Sequence, residues 1–568
     1  MSVQERYEQW MQQSLPDHLK EELTAIAGEE QAIEDRFYQD LSFGTGGMRG
    51  VLGVGTNRMN LYTIRRVAEG LARYVAANGE SAKARGVVLA YDTRHFSYEF
   101  ACETARVLGA HGIRAYVYKE ARPTPQLSFT VRELNAYAGV VITASHNPKQ
   151  YNGFKVYGED GAQLVPDGAN AIIQHMQDIE DIFSIDVVEL ETLEAQGLLT
   201  WLLEALDAAY LQQLLTLKDT RKVALDMKLV YTPLHGAGLV PVREGLRAFD
   251  FTDVTIVEEQ AVQDGSFPTV TYPNPEEAAA FTLVMAKGQQ VGAELLLATD
   301  PDADRLGVAV WNGVRYELLT GNQLGALLLY YLLETKQQND TLPNNGVMVK
   351  TIVTAELGAK IAESFGVVTE NTLTGFKYIA EKIAHYEATG EHTYLFGYEE
   401  SYGYLIETFV RDKDAVQVAL KVAEMAAFYA LQGHTLLDQL EHLYETFGYY
   451  QEALVSQVFE GKDGQAEMQA ILQRLRDQLP MEIAGFAVQR VEDYLAGQAT
   501  LADGQTESLT LPKENVLKFI LADGTWIAVR PSGTEPKCKF YIGVVDETME
   551  AAQQKLEAVK RAVVALVK

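Results

Sequence analysis

Cysteine is nearly absent: the 568 residues contain two, Cys102 and Cys538, far apart in the chain. That excludes a disulfide framework and a cysteine-rich zinc site, and each reads as a small buried residue. Positive charge is also scarce, with 48 Lys and Arg against 78 Asp and Glu and a net charge of −30. No long stretch is basic, so nucleic acid and anionic membrane are poor partners. Long apolar runs are missing too. The longest, Leu324 to Leu333, is about half of what a membrane helix needs. The opening residues, Met1 to Trp10, are polar and hold no apolar signal-peptide core. A soluble, cytoplasmic protein is expected. Its apolar fraction of 47% and charged fraction of 22% fit globular domains with large cores, and its length predicts roughly three to five of them.

Residues 1 to about 40 read as charged helices forming a surface cover. A glycine-rich stretch follows, Phe43-Gly-Thr-Gly-Gly-Met-Arg-Gly50, whose backbone amides can cradle an anion beside the fixed charge of Arg49. Apolar runs at 87–91, 115–118 and 137–143 alternate with helical spacing at 64–75 and 97–110, which predicts a mixed or parallel sheet covered by helices. A polar, helical stretch at about 165–220 separates this unit from a second, with strands at 228–232, 254–257 and 293–299. Asn322 is the expected cap of a long apolar helix, and a polar linker follows near 335. A third unit has strands at 346–353 and 393–396 and a helix at about 415–431. The C-terminal part has strands near 515–522, 525–530 and 538–545 and a final amphipathic helix. The expected domains are 1–215, 216–338, 339–448 and 449–568.

Four loops carry chemistry. Thr143-Ala-Ser-His-Asn-Pro148 lifts Ser145 onto a turn at the end of a buried strand, with His146 beside it and Lys155 ten residues on. That is a place for a covalent nucleophile as well as for ordinary turn chemistry. Asp300-Pro-Asp-Ala-Asp-Arg305 brings alternate carboxylates into one turn, where Asp300, Asp302 and Asp304 can converge on a hard cation. Arg305 and Trp311 stand where a calcium-binding EF-hand loop requires Gly and Glu. Mg²⁺ suits such a site because it leaves room for a phosphate oxygen, and Arg305 suits a phosphoryl group's oxygens. Glu399-Glu-Ser401 offers acceptors and a hydroxyl to a sugar. Arg530-Pro-Ser-Gly-Thr534 joins a guanidinium, two hydroxyls and a glycine-opened backbone, a phosphate clamp.

In this order, and spanning nearly the whole chain, the four loops resemble those of the α-D-phosphohexomutase superfamily of phosphoglucomutases and phosphomannomutases. The length, Phe43 to Arg49 and Thr372-Leu-Thr-Gly-Phe-Lys377 look most like its phosphoglucomutase and phosphopentomutase-like branch. One departure stands out: the sugar loop has Tyr398 before its first Glu, where the family commonly has Gly. This leaves open which of Glu399 and Glu400 faces the sugar, although the spacing aligns Glu399 and Ser401 with the family's pair.

The resemblance implies an α/β fold, with three similar mixed-sheet α/β domains plus a C-terminal α+β domain around a central cleft. It implies reversible isomerisation of glucose 1-phosphate and glucose 6-phosphate through a phosphoserine enzyme and a bisphosphorylated sugar. Ser145 would carry the phosphoryl group. One Mg²⁺ per chain would sit on Asp300, Asp302, Asp304 and an oxygen of phospho-Ser145, and glucose 1,6-bisphosphate would prime the enzyme. Arg305 and Arg49 would add charge, and Lys155, Lys413 and His146 are the candidates for proton transfer and loop orientation. A lysine acting as base needs a lowered pKa. Thr374, Gly375 and Phe376 would help choose the sugar, and Arg530, Ser532, Gly533 and Thr534 would clamp the phosphate that does not react. The partner is a small sugar phosphate, and the assembly a monomer or dimer. Rival readings are a phosphopentomutase or phosphomannomutase, a Mg²⁺-dependent sugar-phosphate phosphatase and a catalytically idle binding protein.

Overall fold

Three times along the chain, a largely buried parallel strand runs through a short loop into an antiparallel neighbour. The computed structural model describes residues 1–44, 47–459, 464–531 and 537–566. In the first sheet the parallel strands Val87–Tyr91, Ala115–Tyr118, Ala138–Ile142 and Leu199–Leu202 are extended by Tyr151–Tyr157, which returns antiparallel to Ala138–Ile142. In the second sheet Leu295–Thr299 lies parallel to Leu229–Thr232, and Leu306–Trp311 returns against it. In the third, Thr393–Glu399 lies parallel to Gly346–Thr351, and Gly403–Leu405 returns. The three reversals are the loops of Ser145, of Asp300 to Arg305 and of Glu400. The repeated topology thus puts three of the four chemical loops at equivalent positions, outside the carboxyl ends of parallel strands, where open α/β sheets bind ligands.

The fourth sheet is antiparallel. Its spine runs Tyr449–Val458, Lys537–Asp546, Trp526–Pro531, Leu517–Leu521 and Phe486–Asp493. The helices Gly464–Asp477 and Met549–Leu566 pack on it. The second and third units share one continuous core. The helix Ala415–Ala430 joins them, and it is buried on every side, as an apolar helix must be. The third unit meets the fourth through a smaller cluster that includes Ile352, Val353, Trp526 and Tyr541. The helices Val3–Met11, Asp17–Ala25 and Glu30–Phe37 bury Trp10, Leu23 and Phe37 in a separate core, consistent with a cover.

Two expectations need correction. Leu199–Leu202 is an edge strand within a stretch read as helical. Thr320, not Asn322, caps the helix Gly321–Gln338, in a capping box with Gln323. Asn322 lies inside that helix and accepts a 3.1 Å bond from Ala355 N. Glu204–Leu215, ahead of the boundary expected at 215, packs on Leu239–Ala248, and Gly321–Gln338, ahead of that expected at 338, packs on Leu357–Ser364 and Thr393–Glu399.

Candidate active site

Ser145 sits in the left-handed region (φ 52°), uncommon for a non-glycine residue. Its surroundings impose this. Ser145 N donates to Thr143 Oγ1 at 2.8 Å, and Thr143 Oγ1 donates to the buried Asp92 at 2.6 Å. From the other side the buried Arg94 guanidinium donates to the carbonyls of Ser145 (2.6 Å), Pro148 (2.8 Å) and Tyr151 (3.1 Å). The hydroxyl is thereby aimed at the second sheet, where Ser145 Oγ donates to Asp300 Oδ2 at 2.7 Å. His146 Nδ1 lies 3.1 Å from the same Oγ. Burial, then Arg305 and Arg49, hold the His146 pKa well below its usual value.

Asp300, Asp302 and Asp304 are fully buried, with ligand oxygens within 4.8 Å of one another. Asp300 Oδ1 accepts from the backbone of Asp304 and Arg305, both at 3.1 Å. Asp302 Oδ2 accepts from Thr124 Oγ1 (2.9 Å) and Lys155 Nζ (3.0 Å). The Oδ1 atoms of Asp302 and Asp304 have no hydrogen-bond partner among the described residues. Burial and the two neighbouring carboxylates push Asp300 well above the ordinary carboxylate range. Burial opposes the charge of Asp302 as well, but Lys155 outweighs it and holds Asp302 low. Hard oxygen donors with orphaned lone pairs and mutual repulsion fit a Mg²⁺-sized cation.

Cations surround this cluster. Lys155 Nζ lies 3.7 Å from Asp304 Oδ2 and Lys413 Nζ 3.2 Å from it. Burial works against the charge of both lysines, yet Asp302 and Asp304 raise Lys155, and Asp304 and Asp412 raise Lys413. The carboxylates thus favour the protonated form of both lysines. Arg305 pairs with Glu276 and lies 3.9 Å from Asp304 Oδ1. Arg49 donates to Asn147 Oδ1 at 2.7 Å, because the strand Gly47–Val51 pairs with Tyr151–Tyr157 and sets Arg49 opposite Gly153.

The third loop presents two different carboxylates. Glu399 Oε1 accepts from Gly375 N at 2.8 Å, tying it to Thr374, Gly375 and Phe376. Glu400 Oε2 turns to Thr351 Oγ1 (3.3 Å) and Thr354 Oγ1 (3.2 Å). Burial and Glu399 push Glu400 up to about 7. Across the cleft, Arg530 Nε donates to Glu514 at 3.0 Å. Ser532, Gly533 and Thr534 lie outside the described residues. One cleft of about 810 Å³ takes in Arg49, Ser145, His146, Lys155, Asp304, Arg305, Thr374, Gly375, Phe376, Glu399, Ser401, Lys413 and Arg530, with Asp300 and Asp302 buried beneath.

Several residues of this region carry no motif. Asp92 and Arg94 stand at a strand end, the same kind of place as Ser145, and that was the available signal. Glu276, Asp412 and the cleft-lining Lys537 and Lys539 gave none.

Comparison with known proteins agrees along most of the chain. Models of the four phosphoglucomutase/phosphomannomutase domains match residues 40–182 (α/β/α domain I), 208–313 (domain II), 320–447 (domain III) and 454–561 (the C-terminal domain). A phosphoglucomutase of Staphylococcus haemolyticus is 38% identical over 92% of this chain and 94% of its own. One of Staphylococcus epidermidis is 40% identical over 91% and 93%. Among solved structures, the open form of a Paramecium phosphoglucomutase, parafusin, superposes with a TM-score of 0.69 at 18% identity, covering 93% of this chain and 95% of that one. A family protein of Burkholderia thailandensis gives 0.66 at 19%, covering 92% and 97%. These two likenesses concern the fold.

Proposed function

The chain belongs to the phosphoglucomutase/phosphomannomutase family, and on that premise we propose that it is a phosphoglucomutase interconverting glucose 1-phosphate and glucose 6-phosphate. Ser145 carries the phosphoryl group. A free hydroxyl of the bound sugar monophosphate attacks the phosphorus, the P–Oγ bond to Ser145 breaks, and the hydroxyl proton leaves to a base. Ser145 Oγ takes up a proton, and the products are a bisphosphorylated sugar and a free serine. After the sugar turns over in the cleft, Ser145 Oγ attacks the phosphorus of the other phosphate, the bond from that phosphorus to the sugar oxygen breaks, and the serine proton is given up as the sugar oxygen gains one. Glucose 1,6-bisphosphate supplied from outside enters at the same stage and primes unphosphorylated enzyme.

Phosphoryl transfer needs positioning and charge neutralisation more than covalent chemistry. Asp300, Asp302, Asp304 and an oxygen of phospho-Ser145 would hold Mg²⁺, which when bound neutralises charge on the transferring group. Arg305 and Arg49 add fixed charge on either side, while Lys155 and Lys413 hold protons against the carboxylates. Thr374, Gly375, Phe376, Glu399 and Ser401 orient the sugar, and Arg530 with its loop clamps the distal phosphate. The reading is carried by the 2.7 Å contact of Ser145 Oγ with Asp300, at the floor of a cleft that Arg530 faces. Conversion of glucose 1-phosphate, followed with a coupled dehydrogenase, tests it. Intact mass should show a gain of about 80 Da on Ser145, the mass of a phosphoryl group. A preference of about tenfold or more for a pentose or mannose phosphate, or release of free phosphate at the rate of isomerisation, would overturn it.

A further inference from the structure

Ser145 and Asp300 belong to different sheets, so their contact requires the two loops to be held in register. Behind the serine loop, Arg94 gathers the carbonyls of Ser145, Pro148 and Tyr151. The Phe267 ring of the second unit covers that guanidinium, with Arg94 Cζ 4.9 Å from the ring centroid. Phe267 is buried at φ 45°, a conformation that a bulky residue holds only under constraint. Close by, Gly265 lies so tightly on the chain at Arg94–His95 that a Cβ there would be 2.4 Å from His95 N. His95 Nε2 meets Ser266 Oγ at 2.9 Å.

The same segment is anchored at its root by a buried histidine. His235 Nδ1 donates to Val262 O at 2.8 Å, and Nε2 meets Thr269 Oγ1 at 2.8 Å. A carbonyl can only accept, so Nδ1 is the donor in the first of these bonds. Two residues on, Ala237 N donates to Pro301 O at 2.8 Å, inside the acidic loop. The segment around Phe267 therefore holds the serine loop through Arg94, and it is tied by His235 to the turn whose Ala237 touches the acidic loop. Such a contiguous run of packed contacts can couple two sites.

We propose that residues 262–272 form a clasp that registers the phosphoserine loop on the metal-binding loop, with His235 and Phe267 as its positioning residues. Neither residue touches the substrate. The proposal rests on Ser145 being the phosphoryl carrier. In the full-length enzyme with Mg²⁺, three readouts test it: kcat, KM for glucose 1-phosphate, and the rate at which glucose 1,6-bisphosphate phosphorylates Ser145, by intact mass. Phe267→Ala is expected to lower kcat by about 100-fold, the effect of a misplacement near 1 Å. KM should hold within about threefold, because the sugar and distal phosphate are bound elsewhere, and phosphorylation should slow in step with kcat. Phe267→Leu, which keeps an apolar cover, should recover most of the loss, and His235→Gln should lose about tenfold in kcat at unchanged KM. A wild-type kcat in Phe267→Ala, a loss carried by KM, or equal losses in the Leu and Ala variants would overturn the clasp. If Phe267→Ala does not fold, a folded His235→Gln with wild-type kcat overturns it equally. Wild-type enzyme that becomes phosphorylated on Ser145 without isomerising glucose phosphates would sink the functional reading alone, and the phosphorylation rates would still judge the clasp.

Discussion

Ser145 Oγ donates to Asp300 Oδ2 at 2.7 Å across the seam between the first and second sheets, so one carboxylate serves both the serine and the acidic cluster. Asp300→Asn keeps the shape but removes the charge. We expect kcat to fall by about 100-fold or more with a modest change in KM. Ser145→Ala should abolish turnover and the phosphoryl mass together. Steady-state kinetics and intact mass on the two variants check both outcomes.

The acidic cluster predicts the response to cation removal. Three buried carboxylates repel one another, and Oδ1 of Asp302 and Asp304 have no hydrogen-bond partner among the described residues. Chelation should remove activity, and Mg²⁺ should restore it. A ligand at 100 times its Kd stabilises the native state by about 2.7 kcal/mol, so saturating Mg²⁺ should raise the unfolding midpoint of wild type. Asp302→Asn should lose most of that shift. Calorimetric scans with and without Mg²⁺ decide it, and an equal shift in wild type and variant would remove the cluster from consideration.

Much of this site was legible because its parts are contiguous. Ser145 and the three aspartates each sit in one loop after an apolar strand, and a buried strand of Val, Ile and Leu can be read from sequence. What escaped depends on register between distant segments. Asp412 accepts from Tyr157 Oη, 255 positions away, and Arg94 acts on a loop that begins about 50 positions later. Asp412 carries no local pattern, and the strand-end place of Arg94 does not say which loop it will hold. The strands Leu199–Leu202 and Tyr449–Val458 are sheet edges with polar neighbours and no long apolar run, so their pairing, not their composition, defines them. The lysines show a third limit: their pKa direction is set by the carboxylates that folding brings beside them.

Lys413 reaches Asp304 by crossing the face of Gly403, where an added Cβ would lie 2.1 Å from Lys413 Cδ. Gly403→Ala should displace the lysine while leaving the sheet intact. We expect a loss of about 10- to 100-fold in kcat and less than about 1 kcal/mol in stability. Activity and denaturant unfolding on the same preparation check this, and an unchanged kcat would show that the Lys413 position is immaterial.

Tyr398, which stands where the family commonly has Gly, fits because two helices each present a glycine to it. A Cβ on Gly325 would lie 2.3 Å from its ring, and one on Gly358 2.4 Å from its hydroxyl. The hydroxyl is buried with no hydrogen-bond partner among the described residues. Tyr398→Phe should therefore be neutral or slightly stabilising. Gly325→Ala should destabilise by about 1–3 kcal/mol through overpacking. Adding Tyr398→Val should recover part of that loss, a coupling that a double-mutant cycle measures.

The junction of the third and fourth units makes a pH prediction. Lys518 Nζ donates to Ile352 O at 2.8 Å and lies 3.7 Å from Glu356, which also pairs with the fully buried Lys350 at 3.1 Å. Burial, then the like charge of Lys350, lower Lys518 to about 8, with Glu356 and Glu492 opposing. An unfolded lysine titrates near 10.4. Below pH 8 the side chain is charged in both states and its burial penalty is complete. Between about 8 and 10.4 the folded protein releases the proton first, the unfolded state binds more protons, and this group's contribution to stability rises with pH. The full swing is on the order of 3 kcal/mol. Lys518→Met should abolish it, so the stability of wild type relative to the variant should grow between pH 8 and 10. Equilibrium unfolding of both proteins at pH 7.5 and 10 measures the difference, and a difference that stays constant with pH would mean that Lys518 does not titrate at this junction.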